Sequence, residues 1–345
     1  MPSPAYGVHV FLWGHPDTTQ RDLRLAKEAG FSFVKQRFEW RDIERDGKGK
    51  FEWSEPDRIV REVAAAGLAI VARLDNQPKW ARKDNLFPGT GPPASLSDWR
   101  DFAAQLASRY RGRIAAYEIW NEPNLDREWA NSTPSAREYV ALLKTSYQAI
   151  KKADPDAEVI SAGLSPTTSD GPEARPDGVF LEEMYRAGLG EAFDMLGVHA
   201  AGYKAEPEAD PGVAAASPAL TNGDPSPLEL KRTYAFRHVE DMRKIMVEHG
   251  DAAKRVAIME MGWTSDPRPD SPYKWYSVSE DKKGENIVRA FMLAHERWQP
   301  WIAYMSLIYL SPPEWTDKDE QYWWSISNPN GTPRVSYDLI RAALR

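Results

Sequence analysis

The sequence predicts an α/β protein, a (β/α)8 or TIM barrel, built as a single domain over 1–345 with elaborated βα loops. Three observations carry that expectation. Short apolar runs alternate with stretches of helical period along the whole chain, the signature of a parallel sheet with crossover helices. Counting the alternation gives eight strand–helix units, more than an open doubly wound sheet normally holds. The 345 residues suffice for one large core, and no internal repeat is strong enough to read as a solenoid.

The first strand is expected at 6–13, followed by a helix over 17–30 that Asp17 caps and whose inner face carries Leu23, Ala26 and Lys27. A strand at 31–38 leads to a helix at about 55–66 closed by Gly67, and a third strand follows at 68–74. The Pro- and Gly-bearing segment 77–93 is too elaborate for a simple connector and reads as a binding loop. Next come a helix over 96–110 opened by Ser95 or Ser97, a strand at 114–120, and a helix over 135–153 that Pro155 stops. A strand at 158–163, a polar loop at 165–177, a helix at about 178–187 and a strand at 195–199 continue the pattern. Segment 206–227 is rich in Ala, Pro and Gly. It reads as a lid-like insertion, with a disordered linker as the alternative. Beyond it the alternation resumes with a helix at 228–249, a strand at 255–261, a helix at 285–296, a strand at 301–310 and a last helix at 336–344.

Composition narrows the function. With Lys+Arg 44 against Asp+Glu 51, a formal charge of −7 and a pI near 5.6, the chain lacks the concentrated positive charge that a nucleic-acid surface needs. Absence of cysteine excludes thiolate nucleophiles, disulfides and thiolate-held metals. No stretch approaches the roughly 20 apolar residues that cross a bilayer, so no membrane partner is expected. The run 6–13 carries His9 and has no basic region before it, so it reads as a strand and not as a signal peptide. A trimmed leader stays open, and with it a secreted or a cytoplasmic location. Trp 14 against Phe 11, with Pro 27, suggests either a concave surface with stacking platforms or a large Trp-rich core.

In such a barrel, functional groups sit where strands end and loops begin. The fourth strand ends in Trp120-Asn121-Glu122-Pro123 and the seventh in Met259-Glu260-Met261-Gly262-Trp263, so each apolar strand delivers one carboxylate. A lone Glu there is ordinarily a solvated loop residue. Glu122 between Asn121 and Pro123, and Glu260 inside an apolar run, are charges that must be paired, protonated or functional. Strands four and seven lie across an eight-stranded barrel from one another, and two facing carboxylates with aromatic walls describe glycosidic bond cleavage. The six histidines show no HExxH or HxH spacing, and GxSxG, P-loop and GxGxxG patterns are absent. Neither a metal nor a cofactor is expected.

The two strand-end signatures resemble those of glycoside hydrolase clan A, on the family 5 and family 39 side. Phe38-Glu39-Trp40, Ile43-Glu44, His199 and Tyr203 extend the likeness over nearly the whole chain. The resemblance implies a retaining β-glycosidase with Glu122 as acid/base and Glu260 as nucleophile, acting on an oligosaccharide or glycoside. It further implies Asn121 at the sugar 2-hydroxyl, Tyr203 orienting Glu260, and His199 touching sugar or a carboxylate. The family's strand-two Arg is replaced by Lys35, so Lys35, Arg37 or Arg73 supplies the cation beside the nucleophile. The family's strand-eight Trp is not evident, and Trp315, Trp323 or Trp324 stands in from the next loop; Trp263 is a further candidate for the sugar wall. A non-catalytic carbohydrate-binding barrel and a transglycosylase are the alternatives. Asn131-Ser132-Thr133 has the form of a glycan acceptor. Sugar, linkage, exo or endo action and oligomeric state are not readable at this level.

Overall fold

The computed structural model describes residues 4–82 and 90–345. Eight parallel strands close into a barrel in sequence order: β1 Ala5–His9, β2 Phe33–Arg37, β3 Ala69–Leu74, β4 Ala116–Ile119, β5 Glu158–Ser161, β6 Met195–Ala201, β7 Arg255–Gly262 and β8 Ile302–Leu307. The ring closes between β8 and β1, where Gly7 pairs with Ser306. Between successive strands lie α1 Pro16–Glu28, α2 Ser54–Ala65, α3 Leu96–Arg109, α4 Ala136–Ala153, α5 Asp177–Arg186, α6 His238–Glu248 and α7 Glu280–Arg297, and α8 Val335–Leu344 follows β8.

The strands are buried on both faces, which is why they read as continuous apolar runs. Their inward side chains, among them Phe33, Val71, Ile160, Met195, Met259 and Tyr304, fill the lower barrel. Gly7 makes room there, since a Cβ on it would stand 2.4 Å from the Phe33 ring. A second, larger core lies between the barrel and the helices. Ser95, Ser135 and Ser279 cap α3, α4 and α7 by accepting from the backbone N–H of Asp98, Glu138 and Lys282. No helix among the described residues is long and apolar enough to cross a membrane.

Several boundaries differ from expectation. Helix α1 begins on Pro16 with His15 at its cap, so Asp17 complements the helix dipole in the first turn and does not cap it. Lys27 is exposed and donates to the Gly67 carbonyl at 3.1 Å; it is not part of the inner face. The expected helix 228–249 is broken into Leu228–Lys231, a 3₁₀ turn at Arg232–Tyr234 and α6, because Ala235 is extended and Arg232 turns back to pair with Asp241. Helix α7 starts ahead of 285, at Glu280, where the polar Lys283 is buried and hid the helical period. Segment 206–227 holds two short helices, Pro211–Ala216 and Pro218–Thr221, the first capped by Asp210. Of the expected binding loop 77–93, residues 83–89 lie outside the described residues.

Candidate active site

At the carboxyl end of β4 the backbone leaves the strand through two left-handed residues, Trp120 (φ 74) and Glu122 (φ 40). Such conformations are unfavourable outside glycine and persist where the surroundings over-determine them. Here the Trp120 N–H donates to Leu74 at 2.8 Å, the Glu122 N–H donates to Gly163 at 3.1 Å, and the Trp120 indole donates to the Glu128 carbonyl at 3.0 Å. This turn aims the Glu122 carboxylate over the barrel mouth. On the other side, register shifts near Val198/His199 and between Ile258 and Met261 bring Glu260 level with His199.

Glu122 and Glu260 face one another with the His199 ring between them. One ligating atom from each of the three lies within 4.8 Å of the others. His199 Nδ1 stands 3.1 Å from Oε1 of Glu122 and 3.9 Å from Oε2 of Glu260. The ring fits because residue 163 is glycine, where a Cβ would stand 2.0 Å from His199 Cδ2. Arg127 donates to Oε2 of Glu122 at 3.0 Å.

The cation beside Glu260 is supplied twice. Arg73 of β3 donates to its Oε1 at 3.3 Å, and Lys35 of β2 lies 3.6 Å from the same oxygen. Lys35 is wholly buried and also meets Glu118 at 2.8 Å and the Met259 carbonyl at 3.1 Å, so it lies beneath the cleft and does not reach its surface. Arg37 also lines the cleft but pairs with Glu39 at 2.8 Å and Asp75 at 3.5 Å, not with Glu260. Arg73 also donates to Oδ1 of Asn121 at 2.8 Å, which turns the Asn121 amide nitrogen toward Glu128, 3.5 Å away.

These contacts set the charges. Burial opposes ionisation of Glu260, but His199, Lys35 and Arg73 outweigh it and hold its pKa at about 2. Burial likewise opposes Glu122, and the hydrogen bond and charge of His199, with Arg127, hold it at about 2. His199 is disfavoured as a cation by burial, yet the Glu260 charge and the Glu122 hydrogen bond raise it above its ordinary value. Glu128 moves the other way, pushed to about 7 by burial and by the Glu122 charge. Glu122, His199 and Glu260 could each offer an atom to a metal ion. Lys35 and Arg73 already place positive charge against Glu260, which disfavours a cation there.

The cleft is lined by polar groups and rings, including Asn121, His199, Tyr203, Trp315 and Trp324. Three expectations need correction. The Tyr203 hydroxyl donates to the Pro166 carbonyl at 3.0 Å, not to Glu260, because left-handed backbone at Tyr203 (φ 47) sends its ring among Tyr234 and Tyr276. Trp263 is fully buried, pressed on Gly202 and against Phe236, and forms no wall of the cleft. Trp323 lies off the cleft with its indole donating to the Asp317 carbonyl at 3.0 Å. Where β8 ends, Tyr309 lines the cleft, and Trp315 packs edge-on against it with ring centroids 5.2 Å apart.

Sequence reasoning missed His9, Phe11, Arg127, Glu128, Tyr309 and Glu320, all of which line the cleft. His9, Phe11 and Tyr309 carry the same signal that singled out the two glutamates, a chemically capable residue at the end of an apolar run. Arg127 and Glu128 sit in the charged stretch Asp126-Arg127-Glu128, which nothing distinguishes from a solvated loop.

A parallel eight-stranded barrel with a close carboxylate pair at the carboxyl ends of β4 and β7 is the architecture of the glycoside hydrolase barrels, and comparison with known proteins agrees. Residues 2–179, just over half of the chain, match the family Cellulase (glycosyl hydrolase family 5), and the chain belongs to that family. A beta-xylosidase of Geobacillus stearothermophilus is 28% identical over 134 residues, 35% of this chain and 26% of that protein. Among solved structures, a family 39 glycoside hydrolase from the gut symbiont Bacteroides cellulosilyticus WH2 matches with a TM-score of 0.70 at 19% identity, covering 99% of this chain and 63% of that one. A monomeric beta-xylosidase from Caulobacter crescentus CB15 matches with a TM-score of 0.65 at 19% identity, covering 98% of this chain and 67% of the other. At such identities the structural likeness is one of fold. The chain spans about a quarter of the curated relative it matches and under two thirds of the family 39 structure.

Proposed function

We propose that this chain is a retaining β-glycosidase that hydrolyses O-glycosidic bonds of an oligosaccharide or glycoside by double displacement, in a single catalytic domain. The observation that carries the reading is the approach of Glu122 and Glu260, each of which brings a carboxylate oxygen within 4.8 Å of one on the other. Retaining enzymes hold their carboxyl groups about 5–5.5 Å apart, whereas inverting enzymes leave roughly 6.5–9.5 Å for a water. Glu260, kept ionised by Arg73 and Lys35, attacks the anomeric carbon. Glu122 protonates the departing oxygen and then, with Glu260 esterified, draws a proton from the incoming water.

The low pKa of Glu122 at first sight contradicts an acid role. The proton is close at hand, however, because protonated His199 donates through Nδ1 to Oε1 of Glu122. Moving that proton to Glu122 leaves the charge of the three groups unchanged and removes the repulsion between two carboxylates. Asn121, fixed by Arg73, takes the 2-hydroxyl, and Trp315 and Trp324 supply ring faces. Xylosides are the first substrates to try, given what the matched relatives are named for. The test is a panel of aryl β-glycosides followed by NMR of the first-formed anomer. Release with retained configuration is expected; an inverted first product, or no turnover on any glycoside, would falsify the proposal.

A further inference from the structure

Resting on the glycosidase reading, we infer that the glycone end of the cleft is closed, so that the enzyme removes single sugar units from non-reducing ends, with His9 gripping hydroxyls at the closed end. The direction follows from the barrel order. The anomeric carbon lies between the ends of β4 and β7, the leaving oxygen lies at Glu122, and the 2-hydroxyl lies at Asn121 just past β4 and at Arg73 on β3. The rest of the sugar ring, with its 3- and 4-hydroxyls, therefore points on round the barrel toward β2, β1 and β8.

There the cleft ends in a packed group of rings. His9 stacks on Phe11 with centroids 5.0 Å apart, Phe11 meets Trp315 at 4.8 Å, and Tyr309 lies 5.4 Å from His9 and 5.2 Å from Trp315. A substituent on the far hydroxyls would run into these rings. The loop bearing Trp315 is tied down at its root, where the Leu310 N–H donates to the His9 carbonyl at 3.1 Å and the Ser311 N–H to Oγ of Ser327 at 3.0 Å. At its crest, Glu314 meets His15 of the β1 loop at 3.1 Å, so the loop bridges from β8 to β1. The opposite rim, near Ser165 and Thr167 of the β5 loop, is partly exposed and leaves the leaving group room to extend.

His9 lines this closed end at 2% exposure, and neither ring nitrogen has a hydrogen-bond partner. Buried polar groups are rarely left so. Burial and the charges of Lys35 and Arg73 keep the ring neutral. It therefore offers one donor and one acceptor, the complement of neighbouring sugar hydroxyls.

The experiment compares the best aryl monoglycoside of the panel with the aryl glycoside of the corresponding 1,4-linked disaccharide. The expected result is direct aryl release from the first, and from the second a lag during which only monosaccharide appears. Intact disaccharide released together with the aryl group overturns closed-end action while leaving the glycosidase reading standing. No turnover of either substrate overturns both. A second arm uses His9→Ala with 3-deoxy and 4-deoxy aryl glycosides. The variant should lose about tenfold or more in kcat/KM on the parent, and much less on the congener lacking the gripped hydroxyl, the pattern of a lost hydrogen bond. Equal losses on the parent and both congeners would mean that His9 only packs.

Discussion

His199 Nδ1 stands 3.1 Å from Oε1 of Glu122, within reach to hand over the proton that the proposed acid role of Glu122 requires. Burial opposes a charged His199, but the Glu260 charge and the Glu122 hydrogen bond outweigh it and raise the ring above the ordinary histidine value, so the shared proton is retained to higher pH than on a free histidine. Glu260 ionises at about 2, so the proposed nucleophile sets no limb near neutrality. The expected kcat/KM profile is flat through mild acid and falls on an alkaline limb whose midpoint lies above the roughly 6.5 of an unperturbed histidine. In His199→Asn the limb belongs to Glu122 alone and moves to lower pH. An unchanged midpoint in the variant would show that His199 does not hold this proton.

The carboxylate roles separate by substrate. Glu260→Gln removes the proposed nucleophile without changing side-chain volume, and turnover should fall by roughly 10⁴-fold or more, as loss of a covalent nucleophile does in other hydrolases. Circular dichroism should stay as in the parent. Glu122→Ala should cost about 10²–10⁴-fold on sugars with poor leaving groups. Aryl glycosides with acidic leaving groups need little protonation and should lose far less. Equal losses on both substrate types would remove Glu122 from the acid/base role.

Much of this is legible in the sequence, for one physical reason: an apolar strand that ends on a charged residue must do something with that charge. Glu122 and Glu260 stand out for that reason, whereas the barrel order is legible from the strand–helix alternation, and Asn121 and His199 only from the family resemblance. Lys35 also follows, but not its position, since a strand residue beside a missing family Arg could as well face the cleft as lie beneath it. The directions of Tyr203 and Trp263 do not follow, because they depend on left-handed backbone at Tyr203 and on the space above Gly202, neither of which leaves a periodic trace. The interruption of 228–249 is hidden for a similar reason, since the Arg232–Asp241 pair that accompanies it spans the break.

Lys35 lies against both Glu118 and Glu260, at 2.8 and 3.6 Å, and both it and Glu118 are fully buried. Replacing it by Met strands the Glu118 charge in the barrel interior, and breaking a buried pair from one side costs about 3–5 kcal/mol. Urea denaturation should register that loss. Lys35→Met combined with Glu118→Gln should recover a large part of it, because the uncompensated charge is gone. The same lysine helps to keep Glu260 ionised, so both variants should develop an acid limb in kcat/KM that the parent lacks. Recovery of stability without the new limb would confine Lys35 to a structural part.

A second, partly buried ion group lies away from the cleft and makes a prediction of its own. His238 at the start of α6 meets Asp177 of α5 at 3.0 Å through Nε2 and Asp241 at 2.9 Å through Nδ1. Burial opposes its protonation, but the Asp177 charge and the hydrogen bonds to both aspartates win and raise its pKa to about 10. A histidine raised in the folded state stabilises fully below its unfolded value of roughly 6.5, and that contribution drains away as pH climbs through the folded value. The unfolding free energy should therefore drop by a few kcal/mol between about pH 6.5 and 10, since each tenfold gain in proton affinity on folding is worth about 1.36 kcal/mol. His238→Gln keeps a hydrogen-bonding side chain without the titration. It should be less stable than the parent at pH 6.5 and markedly flatter across the same interval. If parent and variant decline in parallel, the alkaline loss comes from other groups, and the clasp between α5 and α6 does not depend on a charged His238.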